Sequence, residues 1–181
     1  TRKDLLSEEL STELSKLQDQ VTPFDTSIVV DTICQELQLE QISDAFCQFE
    51  HKPLATASMA QVHGAQLQLN VNQPAIDVII KVIRPNIEQQ IQSDVSLMLS
   101  FAKLIALSKQ AKRFKAVEVV QEYQKTIVNE LNLKLEANNG LRLKDNFVDS
   151  SDLYVPQIYP ELSTEKILVM ERIYGIPVSE T

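Results

Sequence analysis

A chain of 181 residues with 44% apolar content is long enough to bury the core of one globular domain. Its net charge of −8 argues against a nucleic-acid partner, which would call for a basic face. The longest apolar stretch, 95–107, is broken by Ser96, Ser100 and Lys103 and is too short to span a bilayer, and no signal peptide is evident.

Leu10, Leu14 and Leu17 recur at helical spacing over Ser7–Gln20, with Glu8 and Glu9 placed to favour a helix N-terminus. Pro23 ends that helix. Asp25 then suits the N-cap of a second, Thr26–Leu37, in which Ile28, Val29, Ile33 and Leu37 share a face. Ile42–Phe46 adds a short apolar turn, so residues 1–47 are expected to form a helical N-terminal extension packed on the remainder of the chain. Cys34 and Cys47 lack metal or redox spacing and read as free thiols. From Phe49 the composition changes. Ala55, Thr56, Ala57, Ser58 and Ala60 are small, with Met59 among them, and Gln61–Leu69 alternates as a strand does. A turn of small residues lets the backbone approach a ligand closely, or simply closes a tight hairpin. Alanine makes it stiffer than glycine would.

After a turn at Asn70–Pro74 comes Ala75–Pro85 (AIDVIIKVIRP), a β-branched strand with Lys81 in its middle. A lysine with apolar neighbours must reach water or a carboxylate, because an unpaired buried ammonium is costly. Pro85 ends the strand and Asn86 is placed to cap the next helix. Ile87, Ile91, Val95, Met98, Ala102 and Ile105 predict a long buried helix to about Leu107. A basic link, Lys109–Lys115, reads as a solvated loop before a second long helix from Val117 to about Asn146. Glu136 lies toward the far end of that helix, where a negative charge needs a cationic partner, and Lys81 is the candidate. Glu130 falls about 240° away around a continuous helix, so the two carboxylates are expected to serve different partners. Leu153–Tyr159 and Lys166–Ile173 read as two further strands joined through Pro160–Thr164. The expected fold is α+β, with about five antiparallel strands in a unit spanning 48–181 and helices inserted over 86–146. His51 and His63 lack metal-ligand spacing, no metal site is expected within the chain, and no Ser-His-Asp or Cys-His arrangement is legible.

Four segments in order, PLATASMAQVH (53–63), VIIKVIRP (78–85), VVQEYQKTIVNELNLKLEANN (119–139) and LVMERIYGIPVSE (168–180), resemble the UbiB family. These are atypical protein-kinase-like proteins associated with ubiquinone (coenzyme Q) biosynthesis. The resemblance covers essentially the whole chain and implies a protein-kinase-like N-lobe with an N-terminal helical extension. It implies that the Ala-rich loop Ala55–Ala60 (Ala55, Thr56, Ala57, Ser58, Met59, Ala60) closes over nucleotide phosphates. Lys81 would reach those phosphates, Glu136 would position Lys81, and the backbone of Met170, Glu171 and Arg172 would form a hinge at the adenine edge. The family's E-x-D motif corresponds to Glu130-Leu131-Asn132, with Asn132 in place of the second acid, so Glu130 alone is carried over.

The family's K-x-G-Q motif, its catalytic-loop Asp and Asn, its D-F-G Asp and its hydrophobic C-terminal anchors have no counterpart here. The chain opens without Met and stops after a strand-like run, so it is expected to be the N-lobe piece of a larger protein. By itself it is expected to be inactive. The implied ligand is ATP or ADP, its Mg²⁺ held mainly by a C-lobe outside this chain. The implied partners are polyprenyl lipid intermediates and ubiquinone-biosynthesis enzymes. The implied location is the cytoplasmic face of the bacterial inner membrane, reached through segments not in this chain. Two other readings stand beside this one. The first is a pseudokinase-like lipid-binding or scaffolding module acting through the helices 86–107 and 117–146. The second is a Lys81–Glu136 pair that is only structural.

Overall fold

The computed structural model describes residues 22–68, 73–107 and 115–176. In order these form α1 (Thr26–Leu37), a 3-10 turn (Ile42–Asp44), β1 (Phe46–Phe49), β2 (Ala55–Thr56), β3 (Ala60–Leu67) and β4 (Ile76–Ile83). Then come α2 (Ile87–Ala106), α3 (Ala116–Glu130), α4 (Leu133–Asn146), a second 3-10 turn (Pro160–Leu162) and β5 (Ile167–Glu171). The strands make one antiparallel sheet in the order β1-β3-β4-β5, with β2 paired to the start of β3. The helix read over Ser7–Gln20, the turn beginning at Asn70 and most of the basic link from Lys109 lie outside the described residues.

Five antiparallel strands are present, but not the five read from the sequence. Leu153–Tyr159 is extended without becoming a strand. Only Ile158 bridges to Met170, with Tyr159 N–H donating to the Val169 carbonyl and Glu171 N–H to that of Gln157. Pro156 supplies no donor, and Pro160 opens a 3-10 turn, so the pairing cannot extend either way. The count stays at five because two strands precede β3: β1, anchored by the buried Phe46, and the two-residue β2.

Strand alternation gives the sheet two unlike faces. Ala65, Leu67, Val78, Ile80, Val82, Ile167 and Val169 bury one face under α1, whose Val29 and Ile33 are inaccessible to solvent. α1 starts where expected, with the Asp25 carboxylate accepting from Ser27 N–H at 2.8 Å, and it ends at a left-handed Gln38. Ile28 does not join the packing face. It is 40% exposed, one residue and roughly 100° off the Val29 direction. The other face carries Lys81, Ile83, Leu168 and Met170 and receives α4 through Leu133 and Ala137, with Ile87 of α2 at its edge.

Three helical expectations are corrected. The single helix from Val117 to Asn146 is two helices, because Asn132 leaves helical geometry (φ −104°, ψ 92°) and caps α4. Its Oδ1 accepts from Leu135 N–H at 3.2 Å. Glu136 therefore stands in the first turn of α4, where the helix dipole favours a carboxylate, and not toward a helix end that disfavours it. α2 runs to Ala106 but is only partly buried. Met98 and Ile105 are 45% and 49% exposed, while Val95 and Ala102 are covered. Asn86 adopts a left-handed φ of 60° and makes no side-chain cap bond; its carbonyl accepts from Gln90 N–H instead.

Gln61 and His63 are buried side chains on the α1 face of the sheet. The Gln61 amide oxygen accepts from Phe24 N–H at 3.0 Å, and its nitrogen donates to the Phe24 carbonyl at 3.3 Å and lies 2.9 Å from His63 Nε2. His63 Nδ1 is 2.8 Å from the Glu50 carbonyl. A carbonyl can only accept, so Nδ1 carries the proton and Nε2 accepts from Gln61, and the neutral ring is satisfied at both nitrogens. Burial pushes the imidazole pKa below its ordinary value, against the smaller upward pull of the Glu50 carbonyl. The unfolded chain then binds a proton more readily than the fold does. Stability is full above about pH 6.5 and falls as pH drops through the window between that value and the depressed one. A ¹⁵N titration is expected to show His63 neutral below pH 6.5, and the matching slope of stability against pH to vanish in His63→Phe.

Candidate functional site

β4 places Lys81 between Val62 of β3 and Leu168 of β5. Its ammonium reaches across to the first turn of α4 and donates to both Glu136 carboxylate oxygens, at 3.0 and 2.8 Å. The two side chains keep 31% and 45% of their exposure, so the pair is worth about 1 kcal/mol at most to the fold and stays open to a third partner. Val62 and Ile79, half-buried on the same side of the sheet, give Lys81 apolar neighbours.

The Ala-rich loop is a hairpin. Ala55 and Thr56 pair with Val62 and Gln61, and Ala57 N–H closes the turn on the Ala60 carbonyl at 2.8 Å. The turn's other two amides, of Ser58 and Met59, make no hydrogen bond among the described residues. Its carbonyls do: Arg84 binds those of Ser58 and Met59.

Glu130 ends α3 and lines, with Asn132, Glu136, Asn139 and Arg142, an open cleft of about 530 Å³. The 240° offset between Glu130 and Glu136 assumed a continuous helix; with the break at Asn132 both residues line one cleft, while Glu136 has Lys81 as its partner. Asn132 itself donates to Glu165 at 3.3 Å while capping α4. An aspartate could cap as well but would set a second negative charge against Glu165. Asn132→Asp is therefore expected to cost about 1 kcal/mol, read as a lowered melting temperature that recovers in Asn132→Asp/Glu165→Gln.

Met170 packs beside α4 and, with Glu136, Gly140, Leu143, Val155 and Pro156, lines an apolar cleft of about 490 Å³. Glu171 and Arg172 turn elsewhere. Glu171 N–H donates to the Gln157 carbonyl at 2.8 Å, and Arg172 N–H to that of Asp77 at 3.0 Å, so neither amide is free for a ligand. The Glu171 carboxylate accepts from Gln157 N–H at 2.9 Å and from the Tyr154 hydroxyl. The Gln157 amide is the main reason its pKa lies below the ordinary value. Arg172 pairs with Glu50 and lies over the Tyr174 ring. Sequence reading missed Val62, Ile79 and Arg84. For Val62 and Ile79 the strand alternation relative to Lys81 was the available signal.

The chain matches the ABC1 atypical kinase-like domain over residues 16–181. A probable protein kinase UbiB from Shewanella baltica is 48% identical over 99% of this chain and 32% of its own length, as is that of Shewanella oneidensis. The chain spans about a third of the length of these curated relatives. Among solved structures, the Mycobacterium tuberculosis protein Rv3197, determined as a complex with erythromycin, superposes with a TM-score of 0.70. That match has 23% identity and covers 98% of this chain and 43% of the other, which shows a shared fold.

Proposed function

The chain belongs to the ABC1 atypical kinase-like family, and from that membership we propose that it is the nucleotide-binding lobe of a larger ATP-using protein serving ubiquinone biosynthesis. The observation that carries this reading is the Lys81–Glu136 clasp, held on the sheet face opposite α1 and close to a turn with two amides that make no hydrogen bond among the described residues. These residues fit a nucleotide by the chemistry of their donors. Lys81 would donate to phosphate oxygens while Glu136 keeps its ammonium in place. The Ser58 and Met59 amides would add neutral donors, and Val62 with Ile79 would offer apolar surface to the base. Bound ATP would supply a transferable phosphoryl group. Its Mg²⁺ would take ligands mainly from outside this chain, with Glu130 as a further carboxylate across the cleft.

The base-recognising edge is narrower than the resemblance implied. Because Glu171 and Arg172 amides are already bonded within the lobe, a base would meet carbonyls there or an amide further along the chain. No helix among the described residues is long and apolar enough to cross a membrane, so work at the inner-membrane face would rely on other parts of the parent protein. One observation favours a second reading, a lipid-binding or scaffolding module: Leu97, Phe101 and Leu104 form an exposed apolar row on α2.

A thermal-shift titration of the full-length protein tests both. Mg-ADP or Mg-ATP at a hundred times its dissociation constant should stabilise the protein by about 2.7 kcal/mol. No shift with nucleotide, together with protection of α2 from hydrogen exchange by a polyprenyl phenol, would replace the first reading with the second.

A further inference from the structure

Arg84 continues the alternation of β4 beyond Ile83, so its side chain leaves the sheet on the α1 face, opposite Lys81. It joins three parts of the chain. Its backbone N–H donates to the Met59 carbonyl at 2.8 Å and its Nε to the Ser58 carbonyl at 3.2 Å. Nη2 donates to the Thr22 carbonyl at 3.1 Å, and the guanidinium lies 5.1 Å over the Phe24 ring. Phe24 is fixed in turn, since both its backbone groups bond the buried Gln61 side chain.

The peptide plane converts these contacts into an orientation. In a trans peptide the carbonyl of one residue and the N–H of the next point in opposite directions. Arg84 draws the Ser58 carbonyl to the α1 face, so the Met59 N–H is turned toward the face that carries Lys81. We propose that Arg84 is a positioning residue that aims the Met59 amide of the Ala-rich turn and couples that turn to residues 22–24, the segment leading into α1. A displacement of residues 22–24 would then alter the presentation of the turn's donors. The coupling stands on the contacts alone; its consequence for phosphate binding rests on the function proposed above. A lysine would not reproduce the arrangement, because its single ammonium lacks the spread Nε and Nη2 donors and the flat face that lies over Phe24.

The test is hydrogen exchange on the full-length protein without nucleotide, followed by Mg-ADP titration. In Arg84→Ala the amides of Ala57 and Phe24 should both exchange roughly tenfold faster, as expected for the loss of about one hydrogen bond and a stacked cation. Phe24→Ala keeps Arg84 yet should also speed exchange at Ala57, whereas Phe24→Tyr should restore it. Arg84→Ala should raise the Mg-ADP dissociation constant by about tenfold. The coupling is overturned if Phe24→Ala leaves the Ala57 amide unchanged, and the positioning role if exchange accelerates while affinity does not move. Failure of the nucleotide reading looks different: Mg-ADP binding would be indifferent to Lys81→Met, while the exchange pattern stayed as expected.

Discussion

Lys81→Met in the full-length protein is expected to abolish Mg-nucleotide binding while leaving the fold almost untouched. Methionine keeps the apolar stem that sits between Val62 and Leu168 and removes only the ammonium. On the stability side, the loss is a half-exposed ion pair worth about 1 kcal/mol or less. Glu136 is left facing water, so no buried charge is orphaned. On the binding side, a charge-assisted hydrogen bond to phosphate contributes about 1.5–3 kcal/mol, so affinity should fall by roughly ten- to a hundredfold for each bond lost. Paired measurements decide it: a denaturant midpoint close to wild type, and no saturable heat of Mg-ADP binding. A structural ion pair predicts the reverse, a lower midpoint with unchanged binding.

Leu168→Ala is expected to have the largest effect on stability. Leu168 is inaccessible to solvent and stands beside Lys81 in the sheet, where Leu133 and Ala137 of α4 pack on it from above. With β4 on one side, the extended Ile158 segment bridging β5 at Met170 on the other and a helix above, there is little freedom for collapse, so truncation should cost about 2–5 kcal/mol as lost burial plus a residual cavity. Urea unfolding reads this as a lower midpoint at constant slope. A loss under about 1 kcal/mol would mean that α4 is not seated on this face, and with it that Glu136 is not held against Lys81.

The centre of the sheet is easy to find in the sequence and its periphery hard. β3 and β4 carry long alternating or β-branched runs, and Lys81 stands out among apolar neighbours. β1 has four residues and β2 two, too few for periodicity to register. The helix break is hidden because Ile127, Leu131 and Leu135 keep a four-residue repeat straight through it. The signal that exposes it is local: Asn132, a favoured N-cap residue, with the acid Glu136 in the following turn. Pairing Lys81 with Glu136 from sequence therefore rests on a wrong premise. Periodicity puts the carboxylate at a helix end in need of a cation, whereas it occupies a first turn that welcomes negative charge. Arg84 is invisible for a different reason. Its partners are 25 to 62 residues away in the chain, and nothing in its neighbourhood marks it.

The site's central claim is that the Lys81 face of the sheet receives the phosphates, and the most direct measurement is a crystal structure of the full-length protein with Mg²⁺ and a non-hydrolysable ATP analogue. The account predicts a phosphate oxygen within about 3 Å of Lys81 Nζ, with the Met59 amide turned to the same group and Glu136 still bonded to Lys81. A nucleotide bound elsewhere, with Lys81 and Glu136 closed on each other and the Ala57–Ala60 turn empty, would contradict it.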